Sequence, residues 1–159
     1  METKLIEPKK VVAGSFETTL KTMNQAVNPF IEKLMTALEE SGLKPSGPME
    51  FIYKGASSDV NKSFELEIVQ PVTGKANTDK LSEFSIKDTS EFACVTHTYQ
   101  GKIDNIMNAY HKLYENIDKE GVVPTDVVRE VYRNWVSLSS DQNIVEIQIG
   151  IQAIHEQVR

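Results

Sequence analysis

Cysteine is almost missing from this chain: Cys94 is the only one. With no second cysteine there is no intramolecular disulfide, so the fold must stand on its own core, and a reducing, cytoplasmic setting is the natural expectation. Its neighbours Phe92, Ala93 and Val95 are apolar, which reads as a small buried hydrophobe rather than a nucleophile. Basic charge is also short. Lys and Arg number 17 against 23 Asp and Glu, a net charge of −6. A nucleic-acid surface needs a basic stripe to neutralise phosphates, so no nucleic-acid contact is expected of this chain. No apolar run is long enough to cross a bilayer, and Met1–Lys10 lacks the apolar core of a signal peptide, so no membrane association is expected either. The eight glycines are scattered and form no phosphate loop; Gly14–Ser15 and Gly55–Ala56 read as turn material. His97, His111 and His155 have no ligand-like spacing, which implies no metal and no cofactor. His111 and Glu115 read as a surface pair on one helix face.

What is present is a repeat. Gly42 and Gly121 stand 79 residues apart, and so do Pro45 and Pro124, Tyr53 and Tyr132, Glu67 and Glu146, and Leu34 and Leu113. The offset holds without a gap from Val27 to Val72 against Ile106 to Ile151. With 40% apolar and 25% charged residues the composition is that of a soluble globular chain. We therefore expect one domain over residues 1–159, built from two copies of a unit. Repeat one covers about 8–73, a connector about 74–90, and repeat two about 91–152. A pseudo-twofold of this kind creates a crevice between halves, a favoured place for a small ligand.

Each copy spells strand, helix, strand, strand. In the first, a strand near Lys10–Glu17 precedes a helix with Met23, Val27, Ile31, Leu34 and Leu38 on one face. Pro29 should kink that helix or start a fresh one, because it removes a backbone donor. Gly42 stops it. Strands at Met49–Lys54 and Phe64–Val72 follow. In the second copy the elements are a strand near Glu91–Thr98, a helix with Ile103, Ile106, Met107, Tyr110, Leu113, Tyr114 and Ile117 that stops at Gly121, and strands near Val127–Trp135 and Ile144–Ile151. The tail from Gln152 extends the last strand or frays. The fold class is α+β: two strand–helix–strand–strand modules pairing edge to edge into an antiparallel sheet, which protects strand edges.

Where the copies differ, one can carry function. Strand faces alternate with period two. Met49, Phe51 and Tyr53 share a face in the first copy, and Val128, Glu130 and Tyr132 share the matching face in the second. Glu130 thus stands where Phe51 does. The opposite faces, Glu50, Ile52 and Lys54 against Arg129, Val131 and Arg133, read as partly solvated. A carboxylate on an aromatic-flanked face must be paired, protonated or reachable by solvent. One explanation is structural, a bond to Arg129, Arg133 or a tyrosine hydroxyl. The other is a pocket carboxylate serving as counter-ion to a lipophilic cation, or as an acid or base. Tyr110, Tyr114, Tyr132, Trp135 and Phe51 would supply the aromatic walls, with ring faces for a cation.

The two-copy plan, with Val128-Arg129-Glu130-Val131-Tyr132 after the second helix and Val145-Glu146-Ile147-Gln148-Ile149 closing it, resembles the gyrase-inhibitory-protein-like (GyrI-like) small-molecule-binding domain. That domain is the effector-binding part of bacterial multidrug-sensing transcription activators. The resemblance implies an antiparallel α+β fold with a pocket between the units and an acidic residue of the Glu-x-Tyr segment facing cationic aromatic drugs, here Glu130. Tyr110, Tyr114, Tyr132 and Trp135 are the counterparts of its pocket aromatics. The chain departs from the family at His97-Thr98-Tyr99, where a His-x-Gly pair is usual, and at Gln148 and Gly150, where an aromatic and a proline are usual. About ten residues precede the first expected strand, too few for a three-helix DNA reader.

Three functions compete. The first is a stand-alone binding module for small hydrophobic, cationic or aromatic molecules, a homologue of transcription-regulator effector-binding domains, with a protein partner an option. The second is a hydrolase of strained cyclopropane-containing natural products, known among relatives of the family, with Glu130 as the catalytic base. The third is a protein-binding inhibitor of a gyrase-like partner, acting through the acidic surface and indifferent to Glu130→Gln.

Overall fold

A computed structural model of the chain describes residues 1–152. His155 and the tail beyond Gln152 lie outside the described residues. In chain order the elements are β1 (Glu2–Ile6), β2 (Lys10–Thr18), α1 (Met23–Glu40), β3 (Lys44–Pro45), β4 (Glu50–Lys54), β5 (Phe64–Thr73), β6 (Ser85–Asp88), β7 (Phe92–Gln100), α2 (Ile106–Lys119), β8 (Pro124–Asn134) and β9 (Ile144–Ile151). The class is α+β, and the strand pairs within each unit are antiparallel.

The chain divides into two compact units, Pro8–Ser90 and Met1–Glu7 together with the residues from Glu91 onward. In the Pro8–Ser90 unit the strands lie in the order β4-β5-β2-β6, and β3 also pairs with β5. In the other unit the order is β1-β7-β9-β8. Three strands were not expected from the sequence: the two-residue β3, which pairs with β5, and the strands β1 and β6. β1 pairs with β7, Leu5 opposite Ala93, and β6, inside the stretch read as a connector, pairs with β2, Ile86 opposite Val12. β1 and β6 are short and charge-studded, which hides their alternation and is how exposed strands avoid sticking.

The helices follow the apolar pattern and end alike. Gly42 and Gly121 adopt left-handed φ values of 83° and 69°. The residue after each donates back across the turn, Leu43 N–H to Leu38 O and Val122 N–H to Ile117 O, both at 3.2 Å. A left-handed residue closing such a bond is the glycine helix stop, and it satisfies carbonyls the helix leaves open. Pro29 does not begin a new helix. It lies inside a continuous α1, which tertiary packing of Val27, Leu34, Ala37 and Leu38 sustains across the missing donor.

Each unit has its own core. In the Pro8–Ser90 unit, Phe30 of α1 packs on Phe16 at 4.7 Å and on Phe84 at 5.4 Å between ring centroids. Gly14 is not a turn residue. It lies within β2, where an added Cβ would come within 2.7 Å of the Phe30 ring and 2.6 Å of the Phe84 ring. In the second unit Ile106, Leu113 and Ile117 of α2 pack with Val145, Ile147, Ile149 and Ile151 of β9 and Val95 of β7. These strand positions alternate, so they define the helix-facing side of that sheet.

The opposite sides carry buried polar residues rather than the partly solvated mixture expected. Glu50 is 1% exposed and Arg129 5%. Glu50 accepts from Lys9 Nζ at 2.8 Å, and the Arg129 guanidinium stacks 4.1 Å from the Phe92 ring centroid. Repeat-related ion pairs complete both sides. Glu146 bonds Arg133 at 2.8 Å with Lys4 at 3.9 Å, while Glu67 pairs with Lys54 at 3.5 Å and with Lys87. Long cationic side chains thereby cover an otherwise polar strand surface.

A buried carboxylate held by two tyrosines

β8 places Val128, Glu130 and Tyr132 on the helix-facing side, opposite Ile149, Ile147 and Val145 of β9. Val128 and Tyr132 pack against the apolar core of that unit. Glu130 sits between them and is 5% exposed. An isolated carboxylate in such a place costs several kcal/mol after relaxation. The cost is offset by two phenols. Tyr132, two residues on along the same strand face, donates to Glu130 Oε1 at 2.6 Å. Tyr110 of α2 donates to Oε2, also at 2.6 Å. These are short, charge-assisted bonds, one on each oxygen.

The tyrosine hydroxyl was one of the structural explanations open to the sequence. Arg133 is committed elsewhere, to Glu146 on the other side of the sheet. There, burial works against the charge of Glu146, yet bonds from Gln148 and Arg133 and the charges of Arg133 and Lys4 hold its carboxyl below the usual range. The two acids of the unit therefore have different settings. Glu146 pairs with cations, and Glu130 accepts from two phenols.

Trp135 is not on the strand. β8 ends at Asn134 after an irregularity between Tyr132 and Asn134, and Trp135 opens the loop that follows. Its ring meets Tyr132 edge-on, with centroids 5.8 Å apart at 85°, and the residue is 48% exposed. An aromatic track thus leads from the buried carboxylate to the surface, through Tyr132 to Trp135. Tyr114 lies one turn beyond Tyr110 on α2 and is 39% exposed. Partial burial pushes its phenol above the usual 10. Phe51 is buried within the Pro8–Ser90 unit on β4.

Tyr110 stands 79 residues after Ile31, just as Glu130 stands 79 after Phe51. The copies therefore exchange two positions together, Ile and Phe in one, Tyr and Glu in the other. A carboxylate and its helix-borne donor appear as a pair, which the same offset could have revealed.

The family profile of the GyrI-like small molecule binding domain matches residues 1–152. Among solved structures, the EcmrR C-terminal domain superposes with a TM-score of 0.76 at 19% identity, covering 96% of both chains. The chain corresponds to 57% of EcmrR in its complex with DNA. SAV2435 bound to tetraphenylphosphonium matches with a TM-score of 0.65 at 10% identity, over 98% of this chain and 95% of its own. A hydrolase of Listeria innocua matches with a TM-score of 0.59 at 8% identity, over 95% of this chain and 91% of its own. At these identities the likeness is one of fold. No match is found among curated protein sequences.

Proposed function

The chain belongs to the GyrI-like small-molecule-binding domain family, and we propose that its ligands are hydrophobic, aromatic cations recognised by Glu130. The observation that carries this reading is the exchange of Phe51 for Glu130 together with Ile31 for Tyr110. An apolar pair suffices for packing at this place in the repeat. A buried acid with two donors is a costlier arrangement, and it gives the site a negative charge in low dielectric where a cation gains most.

Tyr110 and Tyr132 orient the carboxylate. Tyr132 and Trp135 offer ring surfaces, which attract a cation through the ring quadrupole and stack on its aryl groups. Tyr114 extends the aromatic surface along α2. The neighbour solved with tetraphenylphosphonium supports the ligand class as an analogy of fold.

The test is a ligand panel read by Trp135 fluorescence on wild type and Glu130→Gln. It includes tetraphenylphosphonium, a neutral triaryl phosphine oxide and aromatic carboxylates. Cation-selective binding that Glu130→Gln weakens is the expected result. Equal responses in the two proteins would make Glu130 structural. Mass spectrometry of strained cyclopropane-containing compounds incubated with both proteins separates binding from hydrolysis, since Glu130-dependent product would favour the enzyme.

A further inference from the structure

The copies differ a second time, just before their last strands. Phe64 opens β5, and its ring packs on Tyr53 with 5.7 Å between centroids at 33°. The residue 79 positions on is Asn143, immediately ahead of β9. It has no aromatic ring to offer, yet it is fully buried, 0% exposed.

Its amide is hydrogen-bonded at both its oxygen and its nitrogen. Oδ1 accepts from the Val136 N–H at 2.9 Å. Nδ2 donates to Ser137 O at 2.6 Å and to Ser140 O at 3.1 Å. A carboxamide has two donor hydrogens, and both are used. All three bonds go to one loop, residues 135–142. That loop is also tied at Leu138 O, which accepts from the Ile103 N–H at 3.1 Å, and at Gln142 O, which accepts from Asn134 Nδ2 at 2.8 Å. In the corresponding loop of the Pro8–Ser90 unit the side-chain bonds among the described residues are local, Asp59 N–H to Ser57 Oγ and Asn61 N–H to Asp59 Oδ1, and Val60 O accepts from the Lys21 N–H at 3.1 Å, so what distinguishes the second loop is the buried amide at its centre.

The consequence falls on the tyrosine that follows the exchanged Phe/Glu position. In one copy the ring of Tyr53 packs on Phe64. In the other, Tyr132 meets Trp135 from the loop that Asn143 holds. A core aromatic has been traded for a buried polar hub and a half-exposed indole beside Glu130's donor.

We propose that Asn143 is the positioning residue of the binding site, fixing the Trp135 loop so that the indole forms a preformed wall selecting aryl over alkyl cations. This rests on the reading of Glu130 as a cation site. Preorganisation reduces the ordering cost of binding, and a rigid aromatic wall rewards flat aryl groups more than flexible alkyl chains.

Trp135 is the only tryptophan, so its emission reports the loop directly. The experiment compares wild type and Asn143→Ala for Trp135 emission maximum, acrylamide quenching, and affinity for tetraphenylphosphonium and tetrabutylphosphonium. Far-UV circular dichroism verifies folding. The expected result is a red shift, a quenching constant raised about twofold, and an affinity for the aryl cation reduced about tenfold with less than about a twofold change for the alkyl cation. In a Trp135→Ala background, Asn143→Ala should then cost no further aryl affinity. Should Asn143→Ala not fold, Asn143→Ser retains one hydroxyl and is expected to show the same shifts in smaller measure. Slow hydrogen exchange of the Val136 amide in wild type is the matching expectation. Unchanged emission and quenching in a folded variant, or equal loss for both cations, would overturn the proposal. If wild type bound neither cation, the Glu130 reading would fail, and the proposed selection with it, while the emission data would still decide whether Asn143 holds the loop.

Discussion

Replacing Tyr110 by Ile and Glu130 by Phe together would install in the second unit the pair that the other copy carries at Ile31 and Phe51. The magnitudes follow from the bonds. Tyr110→Phe alone removes a 2.6 Å hydrogen bond to a carboxylate that is 5% exposed. A bond to a charged group contributes about 1.5–3 kcal/mol, and the loss leaves part of the buried oxygen unsatisfied. At about 2–4 °C per kcal/mol for a chain of this size, Tm should fall by about 3–12 °C. The double replacement removes the buried charge along with its donor. Replacing buried ionic groups by apolar residues of similar volume is commonly neutral or stabilising by about 1–4 kcal/mol. Tyr132 keeps a half-buried phenol and can turn it outward, so the expected net effect is a rise of a few degrees over Tyr110→Phe and a Tm at or above wild type. The assay is thermal and urea unfolding followed by circular dichroism on wild type, Tyr110→Phe and the double variant. Cation binding should be lost in the double variant. A double variant less stable than Tyr110→Phe would refute the reasoning, because it would mean that the carboxylate and its donors stabilise the fold rather than burden it.

Other outcomes are fixed by the same geometry. Trp135→Ala should weaken tetraphenylphosphonium binding about three- to thirtyfold, the range of an aromatic contact to a cation, with Tm within a few degrees of wild type because the residue is 48% exposed; isothermal titration with a thermal melt checks both. Glu146 has its carboxyl held below the usual 4.5, so its contribution to stability is complete above that value and is lost as pH falls through the lowered one. Melts between pH 3 and 6 should therefore show a steeper acid decline for wild type than for Glu146→Gln. Burial, with Glu146 nearby, pushes the Cys94 thiol up to about 11. The folded protein should accordingly resist a disulfide reagent at pH 8 and take up one equivalent on unfolding in urea.

Most of the fold could be read from the sequence because its signals are local. The 3.6-residue spacing of Val27, Ile31, Leu34 and Leu38, and of Ile106, Tyr110, Leu113 and Ile117, marks the helices, and Gly42 and Gly121 mark their ends. The strands that escaped notice, β1, β3 and β6, are held by partners distant in the chain. Lys4 and Lys87 reach across to Glu146 and Glu67, and no short-range pattern encodes that. Glu130 could be identified because the repeat supplies an internal control at Phe51. Its donors were only half legible. Tyr132 follows from strand alternation, but the choice of Tyr110 over Tyr114 depends on how α2 lies on the sheet. Trp135 was placed one residue too deep, on the strand, because its apolar ring continues the pattern. What ends the strand there is an irregularity after Tyr132 and the side chain of Asn143, a polar residue in a place where its counterpart is Phe64.

Isothermal titration of tetraphenylphosphonium and tetraphenylborate against wild type and Glu130→Gln tests the central claim most directly. The two ions share shape and aryl surface and differ in the sign of charge. At an effective dielectric near 20 and a separation of about 6 Å, one carboxylate is worth about 3 kcal/mol to a cation, a factor of about 10² in affinity. The result expected is that wild type prefers the phosphonium by at least that factor and that Glu130→Gln loses most of the preference while remaining folded. Equal binding of both ions by wild type, or a preference that survives Glu130→Gln, would contradict the assignment of Glu130 as the cation-recognising residue.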